Sequence, residues 1–324
     1  MNPIYIQGVG IISRCARSFA DLLKIAADEP VSISCDKKLT FPPNAPSAKI
    51  RRAPRYTGML VSAAASAKVD ANLPDDLNKA RVGTIVSSGF GSLESTLQFA
   101  DSLLPGKPDL VSPTLFSYSV ANACVGQVCI LNGFTGFSTL LTGGDPLEYS
   151  SMLLSSGKAD VIFCGAIEEY NEELNTAIRS CGILREEISD GAAVLILSSD
   201  EANSYCRLTK FSSGALSAYP YIHKTDSNDD AAVLSEIFSV HEEPEVVLTQ
   251  CNGSYFDAIE TSALKKIFKT AELIDAKKFF GETLGGGYML NVALGAAFIK
   301  SGRCKSLLAT GVDAHGNYLT ALLN

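Results

Sequence analysis

Residues 135–168, TGFSTLLTGGDPLEYSSMLLSSGKADVIFCGAIE, contain the alternation of elements that decides the fold. The apolar run at 137–141 predicts a strand, and the Thr-Gly-Gly sequence at 142–144 predicts a tight turn into a helix. The helix is expected to end at Ser156-Gly157, because glycine commonly terminates helices. A buried strand at 160–164 follows. A strand, a helix and a second strand in this order predict an α/β protein.

The turn after the first strand is a place where α/β enzymes often carry a nucleophile. A helix N-terminus favours negative charge, so a Cys or Ser at such a turn becomes more reactive. Here Leu140 and Leu141 stand where reactive chemistry is expected. Neither side chain can attack a substrate, so the sequence keeps the turn without a nucleophile.

The composition is that of a globular protein without a nucleic-acid partner. Of the 324 residues, 46% are hydrophobic and 19% are charged, which allows a large core. The formal net charge of −8 argues against nucleic-acid binding. The nine cysteines show no paired spacing and no Cys/His cluster. They therefore predict free thiols in a reducing cytoplasm and no metal site.

We expect neither a leader nor a membrane span. The N-terminal sequence MNPIYIQGVGIIS has no charged n-region and no cleavage site. The apolar stretch at 288–299 is too short to cross a bilayer. Both features predict a cytoplasmic protein.

The rest of the chain continues the alternation of strands and helices. Strands are expected at 4–12, 81–88, 189–198, 206–213 and 242–250, and helices at 18–27, 56–69, 93–103 and 258–269. A proline-rich surface loop is expected at 29–48. The sequence GFGS at 89–92 lacks the third glycine of a dinucleotide fingerprint, because Glu94 stands there. It predicts a packing turn and no cofactor.

A cluster of basic residues precedes the second predicted helix. Its members are Lys49, Arg51, Arg52 and Arg55. Such a cluster is usually a solvated face. Docking of an acidic partner is the alternative, and the sequence leaves both open.

Residues 112–131, SPTLFSYSVANACVGQVCIL, carry Phe116, Val120, Cys124 and Val128 at helical spacing. This spacing predicts one helix with a continuous apolar face. The face is expected to pack in the core. Because the segment is rich in small residues, a subunit interface or a tunnel wall is the alternative.

The two halves of the chain repeat each other. A Gly-Gly turn at 143–144 precedes a helix and then SGKADVIFCGAIE, and the LGGG sequence at 284–287 precedes a helix and then SGRCKSLLATGVD. The second copy follows the first by 145 residues, counted from Ser156 to Ser301 (301 − 156 = 145). The repeat indicates an internal duplication, with a boundary that we place between an N-terminal half at 1–203 and a C-terminal half at 204–324.

The order of these motifs resembles that of the thiolase-fold β-ketoacyl synthases. The resemblance rests on VSPTLFSYSVANACVGQV, FTGFSTLLTGGD, SDGAAVLIL, VVLTQCNGS, KKFFGETLGGG and TGVDAHGNYLTALL. It covers nearly the whole chain. It implies an α/β fold of five layers, α-β-α-β-α, built from two duplicated halves.

The resemblance also implies a Cys-His-His triad, and this chain departs from it at all three positions. In the family a Cys thiolate takes an acyl chain, and two His residues stabilise the negative oxygen formed during decarboxylative condensation. The Cys position falls on Leu140, and the two His positions fall on Asn252 and Glu282. We expect Glu282 to pair with Lys277 or Lys278. Two motif positions are retained, Lys277 and Gly143, and the family's gating Phe falls on Asp313.

The other nucleophiles and bases of the chain do not replace the triad. His223 and His241 lie in polar segments and are expected on the surface. His315 lies in the terminal glycine loop, near the expected crevice. Cys251 neighbours the degenerate His position, but it follows a strand rather than opening a helix, so it is a weak candidate nucleophile.

Ketosynthase-like chains without the Cys occur as chain length factors, which pair with an active ketosynthase. The resemblance implies that role here, with an acyl carrier protein engaged mainly through the partner. The residues assigned to the tunnel and interface are Phe116, Val120, Cys124, Thr139, Leu140 and Asp313. The shortened chain and the Leu140 position point toward the synthases of aryl polyenes. Two alternatives remain: an acyltransferase that uses Cys251, and a homodimeric, non-catalytic acyl-binding or scaffold protein.

Overall fold

The computed structural model describes residues 3–40, 50, 52–103, 111–184, 186–224, 227–251 and 253–324. The strands are β1 (Ile4–Ile12), β2 (Val82–Ser87), β3 (Ser138–Leu141), β4 (Val161–Glu168), β5 (Gly191–Ser198), β6 (Cys206–Ala215), β7 (Val246–Thr249), β8 (Glu272–Asp275), β9 (Leu307–Val312) and β10 (Asn317–Leu323). The longer helices are α1 (Phe19–Ala26), α2 (Arg55–Asp70), α3 (Leu93–Leu103), α4 (Pro113–Ser119), α5 (Ala123–Asn132), α6 (Pro146–Ser155), α7 (Glu172–Ser180), α8 (Ser227–Ser239), α9 (Phe256–Ile267), α10 (Lys277–Phe280) and α11 (Gly287–Ser301). Short 3-10 helices lie at Lys79–Arg81 and Leu284–Gly286.

The strands form one hydrogen-bonded sheet in the order β3-β2-β4-β5-β1-β6-β10-β9-β7-β8. Its two halves have the same topology. In the first half β2 pairs in parallel with β3 and β4, and β5 is antiparallel to β4 and β1. In the second half β7 pairs in parallel with β8 and β9, and β10 is antiparallel to β9 and β6. The repeat seen in the sequence is thus repeated in the topology.

Alternate residues of the central strands belong to different apolar layers. In β5, Ala193, Leu195 and Leu197 face the layer that contains α6 and α11, whereas Ala192, Val194 and Ile196 pack with α2 and α5. In β9, Leu307 and Ala309 join the α6 and α11 layer, and Leu308 packs with α8 and α9. Each half of the sheet is therefore covered on both faces. The result is the five-layered α-β-α-β-α thiolase fold that the sequence predicted.

The middle layer contains α11, which is buried continuously from Gly287 to Phe298. Such a helix needs apolar or small residues on every side, and it has both. Its counterpart α6 begins with Asp145 at the N-cap and Pro146 at the first position. The Asp145 carboxylate accepts from the Leu147 amide at 2.8 Å, and proline lacks the N–H that would be unsatisfied there.

The predicted continuous helix at 112–131 is wrong. The chain forms α4 and α5, which are separated at Val120 and bent by 101°. Phe116 is 57% exposed and Val120 is 49% exposed, while Cys124 is fully buried against the α2 layer. The helical spacing of the apolar residues therefore does not correspond to one face.

Within the described residues, no single helix is long and apolar enough to cross a membrane, although α4 and α5 together pass that test as a bent pair. All nine cysteines are free, as the sequence predicts. The expected boundary after residue 203 falls between β5 and β6. These halves share one sheet, so the division at 203 remains our proposal.

Candidate functional site

Leu140 lies inside a strand and not at a helix N-terminus. It is paired with Val86 across β3 and β2, and its side chain is partly buried against the α2 and α5 layer. Its neighbour Thr139 is paired with Ile85 and is also partly buried. Helix α6 begins only at Pro146. The position that the resemblance assigns to the family's Cys is therefore an apolar strand position in this chain.

The turn between β3 and α6 is closed by the loop that follows β9. The Asp313 carboxylate accepts from the Gly144 amide at 2.8 Å, from the His315 amide at 2.8 Å and from the Asn317 amide at 2.9 Å. His315 is exposed, and its ring covers the turn. A Cβ on Gly143 would lie 2.5 Å from the His315 ring, so a larger residue here would displace that ring. Asp313 thus fixes two loops to each other.

Little space remains at the centre of this arrangement. The cavity bounded by Ser88, Gly143, Tyr288 and Asp313 has a volume of ≈ 10 Å³. That is about the volume needed for a single water molecule. As bounded by the described residues, this cavity has no room for an acyl thioester.

The second half of the site holds a buried ion pair. The Lys277 Nζ lies 3.0 Å from the Glu282 Oε1, and the two side chains are 3% and 0% exposed. The Leu284 amide also donates to Glu282 at 2.5 Å. The expected pairing of Glu282 with Lys277 is therefore present, and Lys278 is exposed instead. A buried pair of this kind holds the α10 turn and offers no free base.

Several buried polar atoms around this pair have no hydrogen-bond partner among the described residues. They include Glu282 Oε2, Gln250 Oε1 and Thr283 Oγ1. Gln250 donates through Nε2 to the Tyr221 hydroxyl. The other degenerate His position, Asn252, lies outside the described residues.

Two buried carboxylates near the centre were not singled out from the sequence. Burial raises the pKa of Glu168 to about 8 and the pKa of Asp145 to about 7. Glu168 accepts from the Gly89 amide, and Asp145 accepts from the Tyr288 hydroxyl at 3.1 Å. The Asp-Pro sequence at 145–146 was a readable sign of a helix N-cap. Glu168 gave no such sign, because its burial depends on loops from distant parts of the chain.

Cys251 is a poor nucleophile in this environment. Its Sγ lies 3.4 Å from the Glu260 carboxylate, which is fully buried. Burial, followed by the charge of Glu260, raises the pKa of the Cys251 thiol far above its ordinary value. A thiol held in its neutral form does not attack a thioester readily.

Two of the surface expectations are wrong. His241 is buried, its Nε2 lies 2.9 Å from the Thr320 hydroxyl, and burial lowers its pKa to about 4. Arg55 is not part of a solvated face, because it donates to the buried Asp190 at 2.8 Å. His223 and Arg52 are exposed, whereas Lys49 and Arg51 lie outside the described residues. Among the described residues, no group of three His, Cys, Asp or Glu side chains could hold a metal ion.

Comparisons by sequence point to one kind of protein, over part of the chain. No family model matches. The chain is 29% identical to the 3-oxoacyl-[acyl-carrier-protein] synthase 2 of Vibrio cholerae over 105 residues, which are 31% of this chain and 25% of that protein. It is 28% identical to the synthase of the same name from Staphylococcus aureus over 178 residues, 47% of this chain and 44% of that protein. The match thus spans less than half of these relatives.

Comparisons by structure cover the whole chain. The ishigamide ketosynthase/chain length factor superimposes with a TM-score of 0.81 at 16% identity, over 99% of each chain. A type II polyketide ketosynthase in complex with its acyl-carrier protein gives 0.80 at 14% identity, and a β-ketoacyl synthase from Burkholderia phymatum gives 0.79 at 14%, each over 100% of this chain and 99% of the other. The chain therefore has the thiolase fold of these ketosynthases.

Proposed function

We propose that this chain is a non-catalytic subunit of the chain length factor type. It would pair with an active β-ketoacyl-acyl-carrier-protein synthase and shape the tunnel in which the acyl chain is extended. The partner would supply the Cys, both His residues and most of the docking surface for the acyl carrier protein. The aryl polyene synthases are the pathway class that we favour within this proposal.

The observation that carries the proposal is the state of the site. Leu140 has no nucleophilic atom, Lys277 and Glu282 neutralise each other, and the cavity at the turn 142–144, which Tyr288 and Asp313 also line, measures only ≈ 10 Å³. Decarboxylative condensation needs a thiolate, donors for the developing oxyanion and space for a thioester. These residues supply none of the three in the described conformation.

The partner surface is proposed at the outer edge of β3. This strand ends the sheet, and exposed apolar side chains surround it: Ile130 is 73% exposed, Phe137 is 36% exposed and Met152 is 58% exposed. We call these three side chains with β3 the β3 edge. An apolar edge strand favours pairing with another chain. The sheet of a chain with the same fold, such as an active ketosynthase, would continue this one.

Among the residues assigned to the tunnel, we favour Phe116 and Val120. Both are exposed on the α4 side of the bend, and the Phe116 ring packs against Phe99 at 5.2 Å. Cys124 is excluded from a tunnel wall because it is buried in the interior layer. Thr139 and Leu140 belong to the β3 edge strand, and Asp313 holds a loop.

Co-expression with an active ketosynthase from the same organism tests the proposal. We expect a 1:1 complex by native mass spectrometry, and condensation only when both chains are present. A stable self-dimer that ignores the ketosynthase would instead favour the homodimeric scaffold. Release of CO2 from malonyl-carrier protein by this chain alone, lost in Cys251→Ala, would favour the acyltransferase alternative.

A further inference from the structure

A cavity of ≈ 480 Å³ lies where β1 ends and α1 begins. Arg14, Arg17 and Lys24 line it, together with a single acidic side chain, Asp21. Three cations and one carboxylate give the lining a formal charge of +2 (3 − 1 = 2), while the whole chain carries −8. The cavity thus has the opposite sign to the protein that contains it, which favours an anionic ligand.

The two arginines of the cavity are half-buried, and the carboxylates that act on them, Asp21 and Asp190 on Arg17 and Glu186 on Arg14, form no close ion pair with them among the described residues. Arg14 Nε donates to the Ser34 carbonyl at 2.7 Å, and Arg17 Nε donates to the Thr40 carbonyl at 2.9 Å. Neither guanidinium forms an ion pair within the described part of the chain, and the adjoining sequence 41–49, FPPNAPSAK, contains no acid. Removing charge from water is costly unless the charge is paired. An anion in the cavity would supply that missing partner.

Asp21 is already engaged and does not fill this role. Its Oδ2 accepts from the Arg17 amide at 3.0 Å and from the Ser18 amide and hydroxyl at 3.1 and 2.9 Å. These bonds complete the capping box of α1. The other oxygen lies 3.6 Å from Lys24 Nζ. The carboxylate therefore accepts its hydrogen bonds at the helix end, and its charge acts on Arg17 without a direct contact to the guanidinium.

We propose that this cavity binds the phosphate group of a small organic phosphate. Two guanidinium forks suit the oxygens of a phosphate, and Lys24 adds a third positive charge. Pro30, Val31 and Ser32 line the remaining space and suit a short organic part. The volume falls within the range of about 300–1,000 Å³ that is typical of small-molecule sites.

The cavity adjoins the buried ion pair of the degenerate site. A Cβ on Gly281 would lie 3.1 Å from Arg14, and Gly281 directly precedes Glu282. A ligand held by Arg14 would therefore lie one side chain away from the Lys277–Glu282 turn. All residues of this binding site nevertheless belong to this chain, so its test does not depend on the proposed subunit role.

Calorimetric titration of the full chain with glycerol phosphate tests the proposal, with inorganic phosphate as a parallel probe. We expect glycerol phosphate to bind, and Arg14→Met and Arg17→Met each to weaken its binding by about tenfold or more. The matched control is Arg207→Met, an exposed arginine on β6, which should bind like the natural chain. Tighter binding of glycerol phosphate than of inorganic phosphate would show that the organic part is recognised. Equal binding would show that the cavity recognises the phosphate group alone.

A second variant keeps the test decisive if an arginine variant fails to fold. Ser32→Asp places a carboxylate in the exposed lining, where it would pair with the arginines. We expect this variant to lose phosphate binding and to unfold at a higher temperature than the natural chain. Binding weaker than about 10 mM in the natural chain, or equal binding by Ser32→Asp, would overturn the proposal.

Discussion

The two ends of the sheet have the same topology and different chemistry. At the first end, β3 reads Ser-Thr-Leu-Leu, and the apolar side chains of the β3 edge lie exposed around it. At the other end, β8 reads Glu-Leu-Ile-Asp, with Glu272 and Asp275 exposed. Charges on an edge strand discourage pairing with another chain. The two ends share a topology, so their difference in chemistry supports the proposal that the first end is the surface for a partner.

The segment that follows each edge strand shows a second difference. After β3 the turn to α6 is held by hydrogen bonds to Asp313 and contains no ion pair among its own residues. After β8 the chain forms α10 and the buried pair of Lys277 and Glu282. The conformation of the first segment is therefore stabilised by hydrogen bonds to its backbone, and that of the second by a buried ion pair. Substitutions should therefore have different effects in the two halves.

The largest expected effect is on assembly. Ile130→Asp combined with Phe137→Asp should weaken the complex with the ketosynthase by roughly a hundredfold or more, because two apolar contacts are replaced by desolvated charges. Native mass spectrometry or analytical ultracentrifugation measures the loss. Val69→Asp is the control, since Val69 is 79% exposed on α2 and lies outside the β3 edge. Equal weakening by Val69→Asp would mean that the β3 edge is not the specific contact surface for the ketosynthase.

The next effect is on stability. Lys277→Met leaves Glu282 buried without a partner and should lower the free energy of unfolding by about 3–5 kcal/mol. Urea denaturation measures it, with Lys278→Met as the exposed control. The double variant Lys277→Met with Glu282→Leu should recover most of the loss, because both charges are then absent. A loss in Lys277→Met no greater than in Lys278→Met would contradict the importance of the buried pair.

A smaller effect is expected from pH. Burial raises the pKa of Glu168 to about 8 and of Asp145 to about 7, whereas unfolded carboxyls titrate near ~4. The folded state therefore binds more protons over this interval, and the free energy of unfolding should fall as pH rises from about 4 to about 8.

Asp145→Asn should flatten this dependence above pH 4 while keeping the N-cap, because asparagine caps helices as well as aspartate does. Thermal unfolding across that pH range is the measurement, and Asp76→Asn, at an exposed position, is the control. A slope that is unchanged by Asp145→Asn would mean that this carboxyl does not titrate as described.

The smallest effect concerns product length. Phe116→Ala should lengthen the products of the assembled complex by widening the proposed tunnel, and Val120→Phe should shorten them by narrowing it. Both side chains are exposed at the bend and neither supports the core, so the fold should be retained. Chromatography of the released products measures the shift, with condensation retained. Ile33→Ala, an exposed apolar position in another loop, is the control. Unaltered product length would contradict the tunnel assignment.

Local patterns were enough to predict most of the elements. Helix α3 and strand β1 have the predicted bounds, and the repeat offset matched α6 with α11 and β4 with β9. The elements missed in the second half are α8, β8, α10 and β10. Strand β8 has only four residues with charges at both ends, so it shows no apolar run. The bend between α4 and α5 was missed because the apolar spacing continues across it.

The sequence by itself determined most of the strands and helices, the repeat of the two motifs and the absence of a Cys at position 140. Those features depend on residues close together in the chain, where periodicity and turn residues act. Only the tertiary structure decided that Arg55 meets Asp190, that His241 is buried, and that Asp313 closes the turn at Gly144. These contacts join residues far apart in the chain. Their existence depends on how the layers pack, which no local pattern encodes.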